Sequence, residues 1–460
     1  MKLYSIKTLK KKLVESGSLD KISRNDYKLN FYDKCNWIIT SIARKGFAEK
    51  DDFRYFVPLH SNQLKAYLGT SYYKQVIDTL IKIDIINENK KYSTSRFSKS
   101  FRILEKALNL GFFEEKIQTK RFQKVIDKNA KKEFEEVTQN PILEKLIYNT
   151  SKLYLLNEWI YYVERILPDA KNIFVNNYMI DVSEPPNAFQ VSRYNDFFKG
   201  FRALNNCKSP IDVYKAPICF KPSISKYGRA YHVGASIPKF IRACMRTKNN
   251  ELLYEVDMSS AQLSILVLEW LRNLKNNLDP QSSDKKKEIK LCLKLLNEGG
   301  FYNYITKNSA YCSGLENGDL KYNILKTLNA KYVPSELNKE LETMFPHFIQ
   351  FINQIKQEKG HKSISHMHQG AESSLFFSVY SKLPREMFAL VIHDCILVIK
   401  ENTNLIKSLL LKKTKEIYKD VISEDDSLEG LFRIERVSIK DEETDEYQLN
   451  KFNNENNESV

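Results

Sequence analysis

No run of apolar residues in this sequence approaches the ~18 needed to cross a bilayer, so nothing in it reads as a membrane span. Its seven cysteines, at 35, 207, 219, 244, 292, 312 and 395, never fall in a C-x-x-C spacing, which removes the zinc ribbon and the disulfide framework as organising principles. No internal repeat is present, and the opening stretch MKLYSIKTLKKKLVESG is too charged for a signal peptide. A cytoplasmic protein with reduced thiols and no membrane partner is therefore expected. Acidic residues are also in short supply, 57 Asp and Glu against 72 Lys and Arg, for a formal charge of +15. The imbalance is local: residues 1–130 hold 27 basic against 14 acidic side chains, a net +13. A front end of that kind suits a polyanion, nucleic acid first among them. At 460 residues the chain is long enough for two or three domains with substantial cores.

Residues 34–46, KCNWIITSIARKG, place apolar side chains at helical spacing, and YFVPLH after them has strand character. Ser61 is the expected N-cap of SNQLKAYLG, GTS at 69–71 the turn, and YYKQVIDTLIKIDII a second amphipathic helix. The following INENKKYSTSRFSKSFRI sets a polar, basic tip between two strand-like ends. A helix-turn-helix followed by such a hairpin resembles the winged-helix domain. That resemblance implies a nucleic-acid-binding module over residues 1–110, with Tyr72, Lys74 and Gln75 on the recognition helix and Lys90, Lys91, Arg96 and Lys99 in the wing. Winged helices that bind proteins are the plainer alternative. From about 112 to 168 the pattern is helical and charged, so 111–215 reads as a helical linker or thumb-like region, and the polar stretch 441–460 as a tail without a core.

The stretch ALVIHDCILV, residues 389–398, puts His393 and Asp394 inside an otherwise apolar, strand-like run. A carboxylate buried in a strand is costly unless a cation, a strand end reaching water, or a metal ion compensates it. The metal answer needs a second carboxylate. ELLYEVDMSSAQLSILVLEW supplies one: LLYEVD alternates as a strand ending at Asp257, and an apolar helix follows.

Order and company add to that pair. DMSSAQLSIL resembles motif A of family A DNA polymerases, and IHDCILV resembles their motif C, a strand carrying His-Asp at a hairpin. Between them KTLN, beginning at Lys326, resembles the fingers helix of motif B. LETMFPHFIQFINQIKQEKG resembles the segment in which an aromatic and a proline precede a long helix. MHQGAESSLF resembles the helix just before motif C, and upstream YGRAYHVGASIPKFIR resembles the family's Gly-Arg segment. The resemblance spans about 215–440. It implies an α+β right-hand architecture, with palm and fingers over 216–440. It also implies DNA primer–template and nucleoside triphosphates as partners, with RNA as a further candidate. Carried over residue by residue, Asp257 and Asp394 bind two Mg²⁺ ions, for which Mn²⁺ can substitute, Lys326 meets the triphosphate, and Gln262 is the sugar gate. Arg229 and Gln369 face the primer–template minor groove, His393 lies near the primer end, and Lys321 stands in for an arginine replaced by Tyr322.

The chain departs from the family at several points. Cys395 follows His-Asp where bacterial enzymes have Glu, Gln262 replaces the usual Glu, and Ala330 and Pro334 occupy positions that are aromatic in the family. Weak discrimination against ribose is the expectation. Other readings of the same residues are an HD phosphohydrolase, a transition-metal site at His361, His366 and His368 on a loop, and a non-catalytic replication-initiator-like DNA-binding protein. An RNA polymerase, a primase and a template-independent nucleotidyltransferase share the polymerase chemistry.

Overall fold

The structure, a computed structural model, describes residues 2–49, 56–89, 99–108, 112–156, 205–215, 222–225, 228–236, 242–276, 283–314, 317–332, 334–422 and 427–437. It is α+β, with helices predominating over small antiparallel sheets. Two compact units divide the chain: Met1–Asn140 with Leu155–Phe220, and Pro141–Tyr154 with Lys221–Val460. Among the described residues no helix is long and apolar enough to cross a membrane. The six described cysteines are buried.

The first unit runs β1 (Lys2–Ile6), α1 (Leu9–Glu15), α2 (Asn25–Glu49), β2 (Val57–Pro58), α3 (Ser61–Leu68) and α4 (Tyr72–Lys82). It continues with β3 (Ile86–Glu88), β4 (Ser100–Ile103), α5 (Glu105–Leu108), β5 (Phe112–Lys116) and α6 (Lys120–Val137). In α4 the apolar positions recur at one helical face, so Val76, Ile77 and Leu80 are buried while Lys74, Gln75 and Asp78 stay exposed. Gly69, at φ 92°, ends α3 and makes the tight turn into α4. β4 is the central strand of the order β2–β4–β3, with Val57 opposite Phe101 and Ile86 opposite Ile103. Ser61 is not the N-cap. The Leu59 N–H still bonds to the Lys99 carbonyl at 3.0 Å, which keeps the chain extended through His60, and His60 takes the cap position while Ser61 opens the helix.

The helix expected from residue 112 starts later. Phe112–Lys116 is a strand paired antiparallel with β1, Lys2 opposite Lys116 and Ile6 opposite Phe112. β1 buries Leu3, Tyr4 and Ile6 and needs a hydrogen-bonding partner that only a distant segment provides. Asp33 on α2 then accepts the backbone N–H groups of Gln118 and Thr119, both at 2.9 Å, and so fixes where α6 begins. Phe122 and Ile126 of α6 join one core with Trp37, Ile38 and Val76, so the unit extends past the boundary expected at 110. Most of the expected thumb-like region, 157–204, and the tail 441–460 lie outside the described residues.

The second unit opens with α7 (Pro141–Thr150) and includes the short pair β6 (Ser223–Ile224) and β7 (Ala230–Tyr231). Then come β8 (Leu253–Met258), α8 (Ala261–Asn276), α9 (Ser283–Glu298), α10 (Phe301–Asn308), α11 (Asn317–Asn329), α12 (Glu336–Met344), α13 (Pro346–Lys359) and α14 (Lys362–Tyr380). β9 (Ala389–Ile392), β10 (Cys395–Ile399), α15 (Thr403–Ile417) and β11 (Phe432–Arg436) follow. Pro346 occupies the first turn of α13, where its missing N–H costs nothing. The main sheet is antiparallel in the order β9–β10–β8–β11, and α14 and α15 pack against it and each other. The apolar run 389–398 is not one buried strand but a hairpin, the form that the motif C resemblance implies: Ile392 pairs with Cys395, leaving His393 and Asp394 as the two turn residues. His393 has φ 51°, a left-handed conformation that tight two-residue hairpin turns require.

Candidate active site

The hairpin turn explains how Asp394 avoids burial in a strand. Its side chain is half-exposed at the sheet end, the position where a carboxylate can be both rigid and wet. β8 lies against β10 with Asp257 directly opposite Cys395, and the Met258 N–H donates to the Asp394 carbonyl at 3.0 Å. The two aspartates thus sit at the same end of neighbouring central strands. Past Asp257 the chain turns sharply into α8: Ser260 has φ 49°, and Ser264 donates its Oγ to the Ser259 carbonyl at 2.7 Å, closing the first turn.

Strand alternation puts Glu255 on the same face as Asp257, and both face the β10 side chains Leu397 and Cys395. Burial, then Glu255, Asp394 and Asp257, push the Cys395 thiol well above its ordinary pKa, so it stays protonated amid the carboxylates. Glu255 is itself buried and paired with Arg242, Nη2 to Oε1 3.3 Å.

Helix α14 supplies a further carboxylate. Arg229 donates to Glu372 from Nε at 3.2 Å and from Nη2 at 3.0 and 3.2 Å, and the Glu372 side chain is only 2% exposed. Burial pushes Glu372 up to about 7; Arg229 opposes that shift and the charge of Asp394 adds to it. Arg229 leaves a tight turn between β6 and β7, closed by Ser225 and Arg229 backbone bonds, in which Gly228 has φ 88°. A Cβ on Gly228 would lie 3.0 Å from the Ser373 Cβ, so glycine lets the turn press onto α14 beside Glu372.

His393 packs edge-on to Tyr231, ring centroids 6.2 Å apart, and its Nδ1 is buried without a hydrogen-bond partner. Burial and then Arg229 hold it below its usual pKa, Asp394 partly offsetting them, so the imidazole is kept neutral. His232, fully buried, donates Nε2–H to the Val391 carbonyl at 2.6 Å and accepts the Gly234 N–H at Nδ1 at 3.2 Å. It is lowered to about 4 by burial and pins the β9 edge.

Of the residues singled out in the sequence, Asp257, Asp394, His393 and Arg229 come together. Gln369 stands three residues before Glu372 on α14, donating to Ser365 Oγ at 3.0 Å. Gln262 is in the first turn of α8, and its Nε2 is buried without a partner. Lys326 and Lys321 lie exposed on α11, Lys326 5.8 Å from the Tyr322 ring centroid, and neither forms an ion pair with Asp394. His361, His366 and His368 are not on a loop: His361 is the N-cap of α14 and the other two are within it. His368 is buried, its Nδ1 3.3 Å from the Ile364 carbonyl, and burial lowers it to about 4. Among the described residues no group of three or more His, Cys, Asp or Glu is arranged to hold a metal; the acidic pair has two members. In the first unit, Tyr72, Lys74 and Gln75 are exposed on α4, and Lys99 pairs with Glu88 at 2.6 Å. Lys90, Lys91 and Arg96 lie outside the described residues.

Glu372, Glu255, Arg242 and His232 were not legible as site residues. Glu372 had one usable signal, that it is the only acid in α14, but its partner is 143 residues away. No protein-family model and no curated protein matches this chain.

Proposed function

We propose that the protein is a template-directed nucleotidyltransferase of the family A DNA polymerase type, extending a primer 3′-hydroxyl with nucleoside triphosphates. The observation that carries this reading is the pairing of Asp257 with Cys395, which sets Asp257 and Asp394 side by side at one end of an antiparallel sheet. Two half-exposed carboxylates fit hard divalent cations such as Mg²⁺ or Mn²⁺, which take few protein oxygens and complete their shell with phosphate and water. When bound, such ions lower the pKa of the attacking hydroxyl and neutralise charge on the leaving pyrophosphate.

The chain's own residues do the rest. Asp257 and Asp394 would hold the cations rigidly, Asp257 because it is paired in the sheet and Asp394 because its turn is tied to β8 by the Met258 N–H. Arg229, with Nε and Nη2 committed to Glu372, keeps Nη1 for the primer–template. Neutral His393, beside Asp394, adds a polar edge without a second positive charge. Lys326 on α11 meets the triphosphate only when that helix and the bound nucleotide approach each other. The first unit, whose β2–α3–α4–β3–β4 order and β2–β4–β3 sheet support the winged-helix reading, would hold the nucleic acid through the exposed face of α4.

An RNA polymerase or primase acting on NTPs is the second reading. It draws on Gln262, whose unpartnered Nε2 could donate to a ribose 2′-hydroxyl. Incubation with Mg²⁺, labelled dNTPs or NTPs, and primed or unprimed template tests both. Incorporation that survives Asp257→Ala or Asp394→Ala overturns the assignment.

A further inference from the structure

Four side chains on three helices of the first unit, with Arg24 just before α2, form a strip of cations and tyrosine rings. The Lys34 ammonium stands 4.5 Å from the Tyr72 ring centroid, at the start of α4. The Arg121 guanidinium, on α6, lies 5.5 Å from the ring of Tyr27 on α2, and that of Arg24 lies 5.0 Å from the same ring. Both rings remain open, Tyr27 37% and Tyr72 47% exposed.

The strip is held in place before any ligand arrives. Lys34 is half-buried, and its Nζ donates to the Leu68 carbonyl at the end of α3 at 2.6 Å. Burial first, then the like charge of Arg121, lower Lys34 to about 8, and no carboxylate is among the groups that shift it. The acids close in sequence are already engaged: Asp26 binds Arg24 at 3.1 Å, and Asp33 accepts the N–H groups that open α6. Two cations kept together without a counterion repel each other, and an anion set between them relieves that cost. Phosphates supply such anions at regular intervals, and bases supply faces for the tyrosines, a match that a flat anionic lipid surface lacks.

We propose that Lys34, Tyr72, Arg121, Tyr27 and Arg24 form a track for the sugar–phosphate backbone of a nucleic acid, continuing the exposed α4 face of Lys74 and Gln75 onto α2 and α6. The track rests on reading the first unit as a nucleic-acid-binding module, and it requires neither the wing nor polymerase activity.

Anisotropy of a labelled oligonucleotide with the full chain, between about 50 and 200 mM salt, tests it, with single-strand and duplex arms. Arg121→Ala and Lys34→Met are each expected to reduce the log–log salt slope by about 0.9 on a duplex or about 0.7 on a single strand. Tyr27→Leu is expected to weaken single-strand binding roughly tenfold. Lys116→Ala, the same charge change on exposed β5, leaves the slope nearly unchanged. If Lys34→Met fails to fold, the exposed Arg121→Ala and Arg121→Glu carry the test. An unchanged slope in a folded Arg121→Ala protein, or an equal loss in Lys116→Ala, overturns the track. Weakening by Lys74→Ala alone also overturns it while leaving the α4 reading intact. Binding to phosphatidylserine vesicles but to neither oligonucleotide would overturn both.

Discussion

Arg229 clasps Glu372 with two edges of its guanidinium, at 3.0 to 3.2 Å, and so ties the turn after β6 to α14 beside the hairpin that carries Asp394. Opposite charge keeps a buried acid next to another acid. Remove the arginine, and Glu372 must face both desolvation and Asp394 alone.

That pair predicts a pH signature in metal-free buffer. Glu372 has its folded pKa raised from 4.5 to about 7, so its contribution to stability is fully present below about 4.5 and is lost as pH rises through about 7. Arg229→Ala raises the folded value further. The variant is expected to lose about 3 kcal/mol at pH 8, the low end for a broken buried pair because Glu372 can take up a proton, and much less at pH 5. Glu372→Gln should flatten the profile. Urea unfolding across pH 5 to 8 measures it, and an Arg229→Ala profile parallel to wild type would contradict the account.

Asp257→Ala and Asp394→Ala are each expected to reduce nucleotide incorporation to background with the fold retained. Relief of repulsion among neighbouring carboxylates should leave metal-free thermal stability unchanged or slightly raised. Primer extension and a melting scan on the same preparations separate loss of chemistry from loss of fold.

Gly228→Ala is expected to cost about 1–3 kcal/mol, because alanine at φ 88° is strained and its Cβ would stand 3.0 Å from the Ser373 Cβ. Ser373→Gly removes the clash but not the backbone strain. The double variant should therefore recover only part of the loss, and purely additive costs would show that the close approach is unimportant.

On the proposed polymerase reading, Gln262 is the residue expected to set the sugar preference. With Ala330 and Pro334 at the positions that are aromatic in family A DNA polymerases, that reading expects dNTPs to be preferred over NTPs by only roughly ten- to two-hundredfold. Gln262→Ala is expected to erode that preference while sparing dNTP use. Competition at equal concentrations reads it directly; a wild-type preference for NTPs would favour the RNA polymerase or primase reading.

Local pattern was enough wherever one segment settles its own conformation. The buried stripe of α4, the glycine that closes α3, the strand-to-helix passage at Asp257 and the proline opening α13 all follow from spacing and backbone chemistry within about ten residues. The chain order of the motifs also pointed to Asp257 and Asp394 as partners. Tertiary structure decided what depends on a distant partner. Hydrophobicity alone reads 389–398 equally well as one buried strand or as a hairpin; the motif resemblance implied a hairpin, and the pairing of Ile392 with Cys395 and of Asp257 with Cys395 fixes its turn at His393 and Asp394 and its place beside Asp257. Phe112–Lys116 became a strand because β1, more than a hundred residues earlier, had backbone groups to satisfy. Glu372 and Arg229 are unremarkable in sequence, since a salt bridge leaves no periodic trace; their meeting required α14 and the Gly228 turn to be packed together first.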